Sequence, residues 1–373
     1  MKMFFKKYSS QLAFWLIPPN LLLTGNFTND SRDKKRTDKA KAQHELEVVN
    51  AMPTREITPA VAPIVKDPVH LIIEGAFIWW KPVLDGMETA VSGISDTSSS
   101  GSVSRGRVHK PKFDYEPGFK FGFGGFFDYD GWDIMSEFTY LAEEKVSSSV
   151  HRNAAKGLYS VYPISAGGIY TDAPVNSAQT QWKQAFYVVD LELGRKFFIS
   201  RALTLRPNFG VKFACIKQSV NAEYGLLSGT LPLDATPAPS MASFDSDQKM
   251  WGVGVRAGLG TVWYFTKYLG LYGDVAASAI WSDFKSSTAE VNQPGSVTTF
   301  NTEEKTRAIT PIFEISAGLR FQYWFDDNRC QFYAQGGWEQ QVWTNFNHIP
   351  NQNLTRNGDF TLQGLTAKVG FAF

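Results

Sequence analysis

Cysteine is nearly missing from this chain: only Cys215 and Cys330 occur among its 373 residues. Two cysteines cannot build the disulfide framework of a small secreted domain, and no CxxC-type metal motif is present. The alternation described below places both residues on outward faces of strands that are not neighbours. We therefore expect two unpaired thiols rather than a disulfide bond.

An excess of charge is also absent, because 37 basic residues face 36 acidic ones. A nucleic-acid-binding chain would carry a clear basic excess, so nucleic acid is not expected as a partner. Long hydrophobic runs are missing too, since no stretch reaches the roughly 18 apolar residues of a membrane-spanning helix. If this chain enters a membrane, it must do so as a closed β-barrel, because lipid offers no partner to unpaired backbone groups.

Catalytic signatures are lacking as well. No GxSxG elbow, phosphate-binding loop or zinc-ligand spacing occurs in the sequence. The histidines are scattered between the first 70 residues and three different loops. The neighbouring carboxylates Asp326 and Asp327 are better interpreted as turn residues than as an acid–base pair. We predict that the chain is not an enzyme and needs no metal or cofactor.

The first 69 residues differ in composition from the rest. Lys2, Lys6 and Lys7 precede an apolar run at 12–23, which is the order of a secretory signal peptide. We predict a signal peptide at 1–25, followed by a polar, proline-rich periplasmic linker at 26–69. Docking of this linker to another periplasmic component is the alternative to a simple spacer. Residues 70–373 then form the main domain.

From residue 70 onward, apolar and polar residues alternate with a period of two. Phe119, Phe121 and Phe123 share one face of a strand, while Lys120 and Gly122 lie on the other. Ten such segments have about the ten residues that a tilted strand needs to cross a bilayer. The pattern predicts an all-β fold, a transmembrane antiparallel up-and-down β-barrel of about ten strands, within a range of about 8 to 12.

The predicted connections alternate in length. Short turns are expected at 128–131, 199–202, 265–268 and 326–328, and long polar loops at 82–114, 142–181, 218–248, 282–306 and 344–358. Short turns on the periplasmic side and long extracellular loops are typical of outer-membrane barrels. Tryptophans near strand ends predict the aromatic girdles of the membrane interfaces: Trp79, Trp80, Trp132, Trp251, Trp263, Trp281, Trp324, Trp338 and Trp343.

The inward faces predict a wet lumen. A soluble lipocalin-like barrel would fill its interior with apolar side chains, whereas the inward positions here carry glycine and isolated charges. Acidic residues outnumber basic ones eight to six, which predicts a weak preference for cations. Either the inner glycines widen the bore, or the long loops contain a further pair of strands; these glycines are Gly122, Gly124, Gly252, Gly254, Gly258 and Gly260. The predicted pore-lining residues are Glu74, Lys120, Asp133, Glu137, Asp190, Glu192, Arg206, Lys212, Arg256, Asp274, Glu314, Arg320, Glu339 and Lys368.

One hairpin carries a family resemblance. Residues 118–134, read Gly-Phe-Lys-Phe-Gly-Phe-Gly-Gly-Phe-Phe-Asp-Tyr-Asp-Gly-Trp-Asp-Ile, are followed by Phe-Thr-Tyr at 138–140. This hairpin resembles the first hairpin of the major outer membrane protein (MOMP-like) family of the Legionella and chlamydial type, and segments 75–82 and 364–373 are similar too. The resemblance covers roughly residues 70–373. The cysteine cross-links of that family do not carry over to this chain.

The resemblance implies an abundant porin of the bacterial outer membrane, exported through the signal peptide, that contributes to envelope rigidity or host contact. Phe371 and Phe373 resemble the aromatic signal read by the barrel-assembly machinery. Outer-membrane lipid and lipopolysaccharide are the expected surroundings. Analogy with porins suggests a homotrimer, and the resemblance suggests a host surface as a further partner.

Two functions remain at this point. The first is a porin that passes small hydrophilic solutes and ions through its polar lumen. The alternative is a non-conducting barrel that acts through its loops as a structural or adhesin surface protein. Ten strands make a narrow barrel, since wide aqueous channels use about 16 to 18. Whether the bore is open therefore decides between them.

Overall fold

The computed structural model describes residues 71–94, 106–127, 132–142, 145–153, 157–162, 164–166, 169–171, 174–227, 240–293, 297–327, 329–350 and 358–373. The predicted signal peptide at 1–25, the linker at 26–69 and the turn at 128–131 lie outside these residues. Within the described ranges, no helix is long and apolar enough to cross a membrane.

Ten strands of the described chain form one closed antiparallel barrel. Each strand pairs with the next in sequence, and the first pairs with the last, with Ile72 opposite Ala372 and Leu84 opposite Phe360. The predicted ten-strand barrel is confirmed. Its strands are β1 (Ile72–Leu84), β2 (Glu116–Phe126), β3 (Trp132–Leu141), β4 (Val175–Arg195), β5 (Leu203–Leu226), β6 (Met241–Tyr264), β7 (Leu269–Gln293), β8 (Val297–Phe325), β9 (Cys330–Trp343) and β10 (Phe360–Ala372).

Short strands occupy the connections between the barrel strands. Lys145–His151 pairs with the first part of β4, and Phe197–Phe198 pairs with the start of β5. Ala90–Ile94 joins Arg107–His109 and Gly157–Ser160 in a small separate sheet. Ile164–Ala166 pairs with Ile169–Thr171. Most of this additional structure belongs to the β1–β2 and β3–β4 connections, so the longer connections gather at one end of the barrel.

Large apolar side chains point outward along the part of each strand that adjoins the short turns. Phe121 is 51% exposed, Val255 67% and Ile309 68%. Water would penalise so much exposed apolar surface, whereas lipid would not. We call this part of the barrel the membrane half. It is marked by the outward residues Phe77, Phe119, Phe123, Ile134, Leu191, Phe209, Phe213, Leu259, Leu271, Val275, Phe313, Leu319, Leu365 and Val369.

Five strands continue far beyond this belt, and we call their extension the outer half. β4 to β8 contain 21, 24, 24, 25 and 29 residues. At a rise of about 3.3 Å per residue, β8 is roughly 95 Å long, which exceeds an apolar band of about 25 Å even at a tilt of about 45°. The loops predicted at 218–248 and 282–306 are therefore wrong where β5 to β8 extend into them, and the loop predicted at 142–181 is wrong from Val175, where β4 begins.

Polarity inverts within these strands, and this inversion explains the error. In the outer half, Lys249 and Lys285 point outward and are exposed, whereas Phe244 and Phe284 point inward and are each 1% exposed. The period of two is preserved, but the polar residues now face solvent. Such a segment resembles a polar loop when only its composition is considered.

The described short turns match the predictions. In the turn between β4 and β5, Ile199 N–H and Ser200 N–H both donate to Leu203 O, at 3.0 and 3.3 Å. Asp326 and Asp327 have φ values of 55° and 51° and Arg329 N–H donates to Asp326 O at 2.9 Å. Aspartate tolerates this left-handed conformation better than most residues. The interpretation of this carboxylate pair as turn residues is confirmed.

The girdle prediction holds for some tryptophans and fails for two. Trp79, Trp251, Trp263, Trp281 and Trp338 are between 44% and 53% exposed on the outer surface, and Trp132 and Trp324 are partly exposed. In contrast, Trp80 and Trp343 are fully buried inside the barrel. Both residues fall on the inward phase of their strands, which proximity to a strand end could not reveal.

The two cysteines are free. Cys215 lies on β5 and is exposed, and Cys330 begins β9, which is not a neighbour of β5. The prediction of two unpaired thiols is confirmed.

A charged lumen closed by an apolar core

The structure orients all fourteen predicted pore-lining residues toward the interior of the membrane half. Eleven of them line a cavity of about 250 Å³. Asp133 lines an adjoining cavity of about 180 Å³. Asp190 and Lys212 lie beside these cavities, 7% and 1% exposed. The eleven that line the larger cavity are Glu74, Lys120, Glu137, Glu192, Arg206, Arg256, Asp274, Glu314, Arg320, Glu339 and Lys368.

One ion-pair network lies on the wall formed by the neighbouring strands β9, β10, β1, β2 and β3. Lys120 Nζ lies 3.2 Å from Glu137 Oε1 and 2.7 Å from Glu339 Oε1. Lys368 Nζ lies 3.0 Å from Glu74 Oε2 and 2.7 Å from Glu137 Oε2. Glu137 thus bridges two cations that come from different strands, β2 and β10. Three carboxylates and two ammonium groups give this network a formal charge of −1.

A second network covers the opposite wall, from β3 to β8. Lys212 Nζ lies 2.7 Å from both Asp190 Oδ1 and Glu314 Oε1. Arg256 Nη2 lies 2.9 Å from Glu314 Oε2, and Arg256 also pairs with Glu192. The remaining members are Arg206, which pairs with Glu192 at 3.2 Å, and Asp133, which pairs with Arg206. Four carboxylates and three cations again give a formal charge of −1.

The last two predicted residues lie between the networks. Asp274 Oδ2 accepts a hydrogen bond from Ser316 Oγ at 3.1 Å. The Arg320 guanidinium stacks over the Tyr333 ring, 4.1 Å from its centroid. These fourteen side chains, which we call the charged layer, together carry a formal charge of −2.

The inner glycines give room to these charged side chains. A Cβ atom at Gly260 would lie 2.8 Å from Asp274 Oδ1, and one at Gly122 would lie 3.1 Å from Glu74 Cβ. The space next to each glycine is therefore already occupied by a neighbouring acidic side chain. The expectation that these glycines widen the bore is wrong at these positions, because the space they leave is filled.

A second cavity continues from the charged layer toward the short-turn end. The 180 Å³ cavity is lined there by Ile72, Lys196, Tyr264 and Ala372, all at strand ends. It shares Arg206 and other residues with the larger cavity. The two cavities together therefore extend from the level of these strand ends to the middle of the membrane half.

Above the charged layer, aromatic side chains fill the bore. The ring of Phe186 on β4 lies 5.7 Å from Trp343 on β9 and 6.3 Å from Phe360 on β10. β4 and β9 lie on opposite sides of a ten-strand ring, so this contact spans its diameter. These residues belong to a core of buried apolar side chains that continues into the outer half. The expectation of an interior made only of glycine and charges is wrong for this part.

Residues 346–349 of the β9–β10 connection fold into the barrel and complete this core. We call them the inward segment. Phe346 and Ile349 are 0% and 1% exposed, and the His348 ring lies 4.3 Å from the Phe284 ring. Gln248 holds the segment, since its Nε2 donates to Phe346 O at 3.0 Å and its Oε1 accepts from His348 N–H at 2.7 Å. Burial lowers the pKa of His348, and the charge of Glu304 opposes this shift.

A polar pair interrupts the core on one wall. Gln184 on β4 and Gln218 on β5 lie opposite each other and are 2% and 3% exposed. Among the described residues, neither side-chain amide has a hydrogen-bond partner. Buried amides are normally satisfied, and a water molecule is the usual partner where protein supplies none. This glutamine pair, which we call the seam, is flanked on the inward face by the buried apolar residues Trp182, Phe186, Ile216 and Val220.

Sequence reasoning missed the core and the seam, although a signal was present. The alternation continues through 216–226 and 241–250, where most inward positions are apolar, among them Val220, Tyr224 and Phe244. The polar exceptions are Gln218, Ser246 and Gln248. Following the period rather than the composition would have extended the strands. The inward segment around Phe346 has no comparable signal, because its position depends on tertiary contacts.

Two other predictions concern chemistry outside the lumen. Phe371 and Phe373 are 46% and 38% exposed on or beside β10, and their role as an assembly signal stays a prediction. Across the described residues, no group of three or more His, Cys, Asp or Glu side chains is arranged to hold a metal ion.

Comparison with known proteins gives one family. The model of the Legionella pneumophila major outer membrane protein precursor matches residues 69–373. No curated protein sequence matches the chain significantly.

Several solved outer-membrane structures show a distant similarity. The outer membrane protease OmpT from Escherichia coli has a TM-score of 0.43 at 9% identity, with 84% of this chain and 100% of that chain covered. OprG from Pseudomonas aeruginosa has a TM-score of 0.26 at 11% identity, with 82% and 99% covered. The Pseudomonas putida toluene transporter TodX has a TM-score of 0.24 at 10% identity, with 85% and 92% covered. Similarities this weak support no inference about this chain.

Proposed function

We propose that this chain, which belongs to the Legionella major outer membrane protein family, is a narrow outer-membrane channel for ions and small hydrophilic solutes. In the conformation described here, the apolar core holds the channel closed. The observation that carries the proposal is the layer of fourteen charged side chains inside the membrane half.

Filling the interior of a barrel with charged side chains is energetically unfavourable, because each charge must be removed from water. Replacing a buried ion pair with apolar residues of similar volume is often neutral or stabilising, so stability alone does not explain these networks. Ionisable groups at membrane depth commonly mark a path for ions or solutes. A purely structural barrel could instead continue the aromatic core of Phe186 and Trp343 down to the short turns.

The charge balance supports a weak preference for cations. Eight carboxylates and six cationic groups line or border the polar space, so its net charge is negative. Both networks contribute to this excess, which spreads it over opposite walls. Local charge of this kind selects ions by attraction rather than by size.

The seam of Gln184 and Gln218 supports the route past the core. Opening there requires displacement of aromatic rings such as Phe186, while the polar amides already provide hydrogen-bonding groups for water. We propose that solutes pass along the β4–β5 wall. A channel of this kind would conduct in small steps, unlike a wide porin of about 16 to 18 strands.

The filled interior favours a second candidate function, a permanently closed barrel that acts as a structural or adhesin surface protein. Phe186 and Trp343 meet across the bore, and the inward segment adds Phe346 to the same core. Under this alternative, the charged networks would serve only to fix the positions of the strands.

Planar-bilayer recording of the full chain distinguishes the two candidates. We expect small discrete current steps with a weak cation preference in a salt gradient. Phe186→Ser should raise the conductance several-fold by opening the core, and Gln218→Leu should lower it by making the seam apolar. Phe119→Ser is the matched control for the first variant, because Phe119 faces outward and should leave the current unchanged.

A folded, inserted protein that stays silent, both as the natural chain and as Phe186→Ser, would reject the channel and support the closed surface barrel. Conductance comparable to a wide porin would also reject the narrow channel, because the aromatic contact across the bore could not persist in such a pore.

A further inference from the structure

Four lysines form a row around the outer surface, one on each of the strands β5 to β8. Lys217 lies directly opposite Lys249, Lys249 opposite Lys285, and Lys285 opposite Lys305. All four are exposed on the outward face. The row follows the strand register, so the backbone places the four lysines side by side on neighbouring strands.

Such a row is costly by itself, because like charges directly opposite each other on a sheet are destabilising. Among the described residues, no ion pair joins any of the four lysines to a carboxylate. Asp247 lies two residues beyond Lys249, and Glu303 two residues beyond Lys305, in the direction away from the membrane half. Asp283 forms an ion pair with Arg307, whose Nε lies 3.1 Å from Asp283 Oδ2. The row therefore keeps its positive charge, which an external anion would neutralise.

The row lies at the border between the two halves of the barrel. Directly below it, Trp251 and Trp281 make an edge-to-face contact at 5.8 Å, and the Arg307 guanidinium lies 5.9 Å from the centre of the Trp281 ring. Exposed tryptophans with a polar edge mark the headgroup level of a membrane. Below them, outward Phe213, Val253 and Ile309 belong to the apolar belt.

A surface depression of about 550 Å³ opens at the same place. Its lining combines one ring, Trp251, with the cations Lys285, Lys305 and Arg307 and a single carboxylate, Asp283. A flat ring beside three cations suits a phosphorylated sugar headgroup, because the ring packs against the sugar and the cations pair with phosphate. Acyl chains attached to that headgroup would extend along the apolar belt.

We propose that the lysine row binds the phosphate groups of a phosphorylated glycolipid in the outer leaflet of the outer membrane. The inference depends on the membrane location of this family and is independent of whether the barrel conducts. A lipid fits better than free phosphate, because the apolar belt lies directly beneath the cations. The two sources of phosphate are separated in the experiment below.

The test measures binding of bisphosphorylated lipid A to the full chain in neutral detergent by native mass spectrometry. The double variant Lys249→Gln with Lys285→Gln should weaken binding by about tenfold or more, since charge-assisted hydrogen bonds of this type contribute at least that much. The matched control is Lys196→Gln with Lys267→Gln, which removes two exposed lysines at the short-turn end and should leave binding unchanged.

The melting temperature gives a second readout, in which we expect different effects of the double variant without lipid and with lipid. Without lipid, Lys249→Gln with Lys285→Gln should melt no lower than the natural chain, because the variant relieves like-charge repulsion. With lipid A, the natural chain should gain more in melting temperature than the variant does. Lipid A from which both phosphates have been removed should give neither effect.

Several results would overturn the proposal. Equal binding by the natural chain and the row variant would do so, as would equal weakening by the control variant at the short-turn end. Equal binding of dephosphorylated lipid A would remove the role of phosphate. Displacement of the lipid by millimolar inorganic phosphate would indicate a general anion site and reject the lipid as the specific ligand.

Discussion

In β7, the residues near the short turn point apolar side chains outward, such as Leu271 and Val275, and a charged one inward, Asp274. About ten residues later the arrangement is reversed: Lys285 faces outward and Phe284 is buried inside. One strand thus serves two environments. In the membrane half lipid is outside and the polar groups pair within the lumen, whereas in the outer half water is outside and the apolar groups pack within.

The comparison shows that the period of two and the polarity of each face of a strand are set independently. A period of two says which residues share a face, and the surrounding solvent decides which face is polar. The membrane border is therefore the level at which polarity changes sign, close to Trp251 and Trp281. The predictions below test each side of that border.

The largest expected effect follows from removing a cation within the membrane half. Lys212→Met leaves Asp190 and Glu314 buried without their shared ammonium group. We expect a loss of about 3–5 kcal/mol in the free energy of unfolding, as for other buried pairs that lose one partner. Urea unfolding in detergent measures it. Lys183→Met is the matched control in β4, since this exposed lysine should contribute less than about 0.5 kcal/mol.

The next effect belongs to the inward face at the membrane border. Ile280 is fully buried, and Ile280→Ala should cost about 2–5 kcal/mol through the cavity it creates. Ile309 on the neighbouring strand is 68% exposed in the belt, and Ile309→Ala should cost less than about 1 kcal/mol. Similar losses for the two isoleucines in the same unfolding assay would contradict the assigned faces.

Charges placed on the outward face should distinguish the halves directly. Val255→Lys puts an ammonium group into the apolar belt and should cost about 2–4 kcal/mol in lipid vesicles. Ser287→Lys, on the outward face of the outer half, should change the free energy of unfolding by less than about 0.5 kcal/mol. If Ser287→Lys were as costly as Val255→Lys, the membrane would have to extend into the outer half.

The smallest effect concerns pH and the inward segment. Burial lowers the pKa of His348 below its ordinary 6.5, so the unfolded chain takes up a proton at a higher pH than the folded chain. The free energy of unfolding should therefore fall as the pH is lowered through 6.5, by at most about 1.4 kcal/mol per pH unit, and level off below the folded pKa. His348→Gln should remove this part of the pH dependence of the melting temperature. An unchanged pH profile in that variant would contradict a buried, neutral His348.

The membrane half could be predicted from the sequence because there composition and period agree. Phe119, Phe121 and Phe123 face lipid and Lys120 faces the lumen, so both signals point to a strand. In the outer half the period of two continues, but outward lysine and aspartate residues give these segments the composition of a polar loop, and the loop prediction followed composition.

Other parts of the site depend on contacts that no local pattern encodes. The pairing of Lys120 with Glu339 joins residues 219 positions apart, and the match between them follows only from closure of the barrel. Trp80 and Trp343 were assigned to the girdle because they lie near strand ends, but their phase puts them in the core. The inward segment at Phe346 depends on a contact with Gln248 on a distant strand.

The most direct test of this account is the accessibility of single cysteines along the outward face of β7. In a chain whose natural cysteines are replaced by alanine, Leu271→Cys, Val275→Cys, Lys285→Cys and Ser287→Cys would be reacted with a membrane-impermeant maleimide in intact cells. We predict that positions 271 and 275 are protected and that 285 and 287 react. Protection that continues through position 287, or reaction at 275, would contradict a membrane border at the level of Trp281.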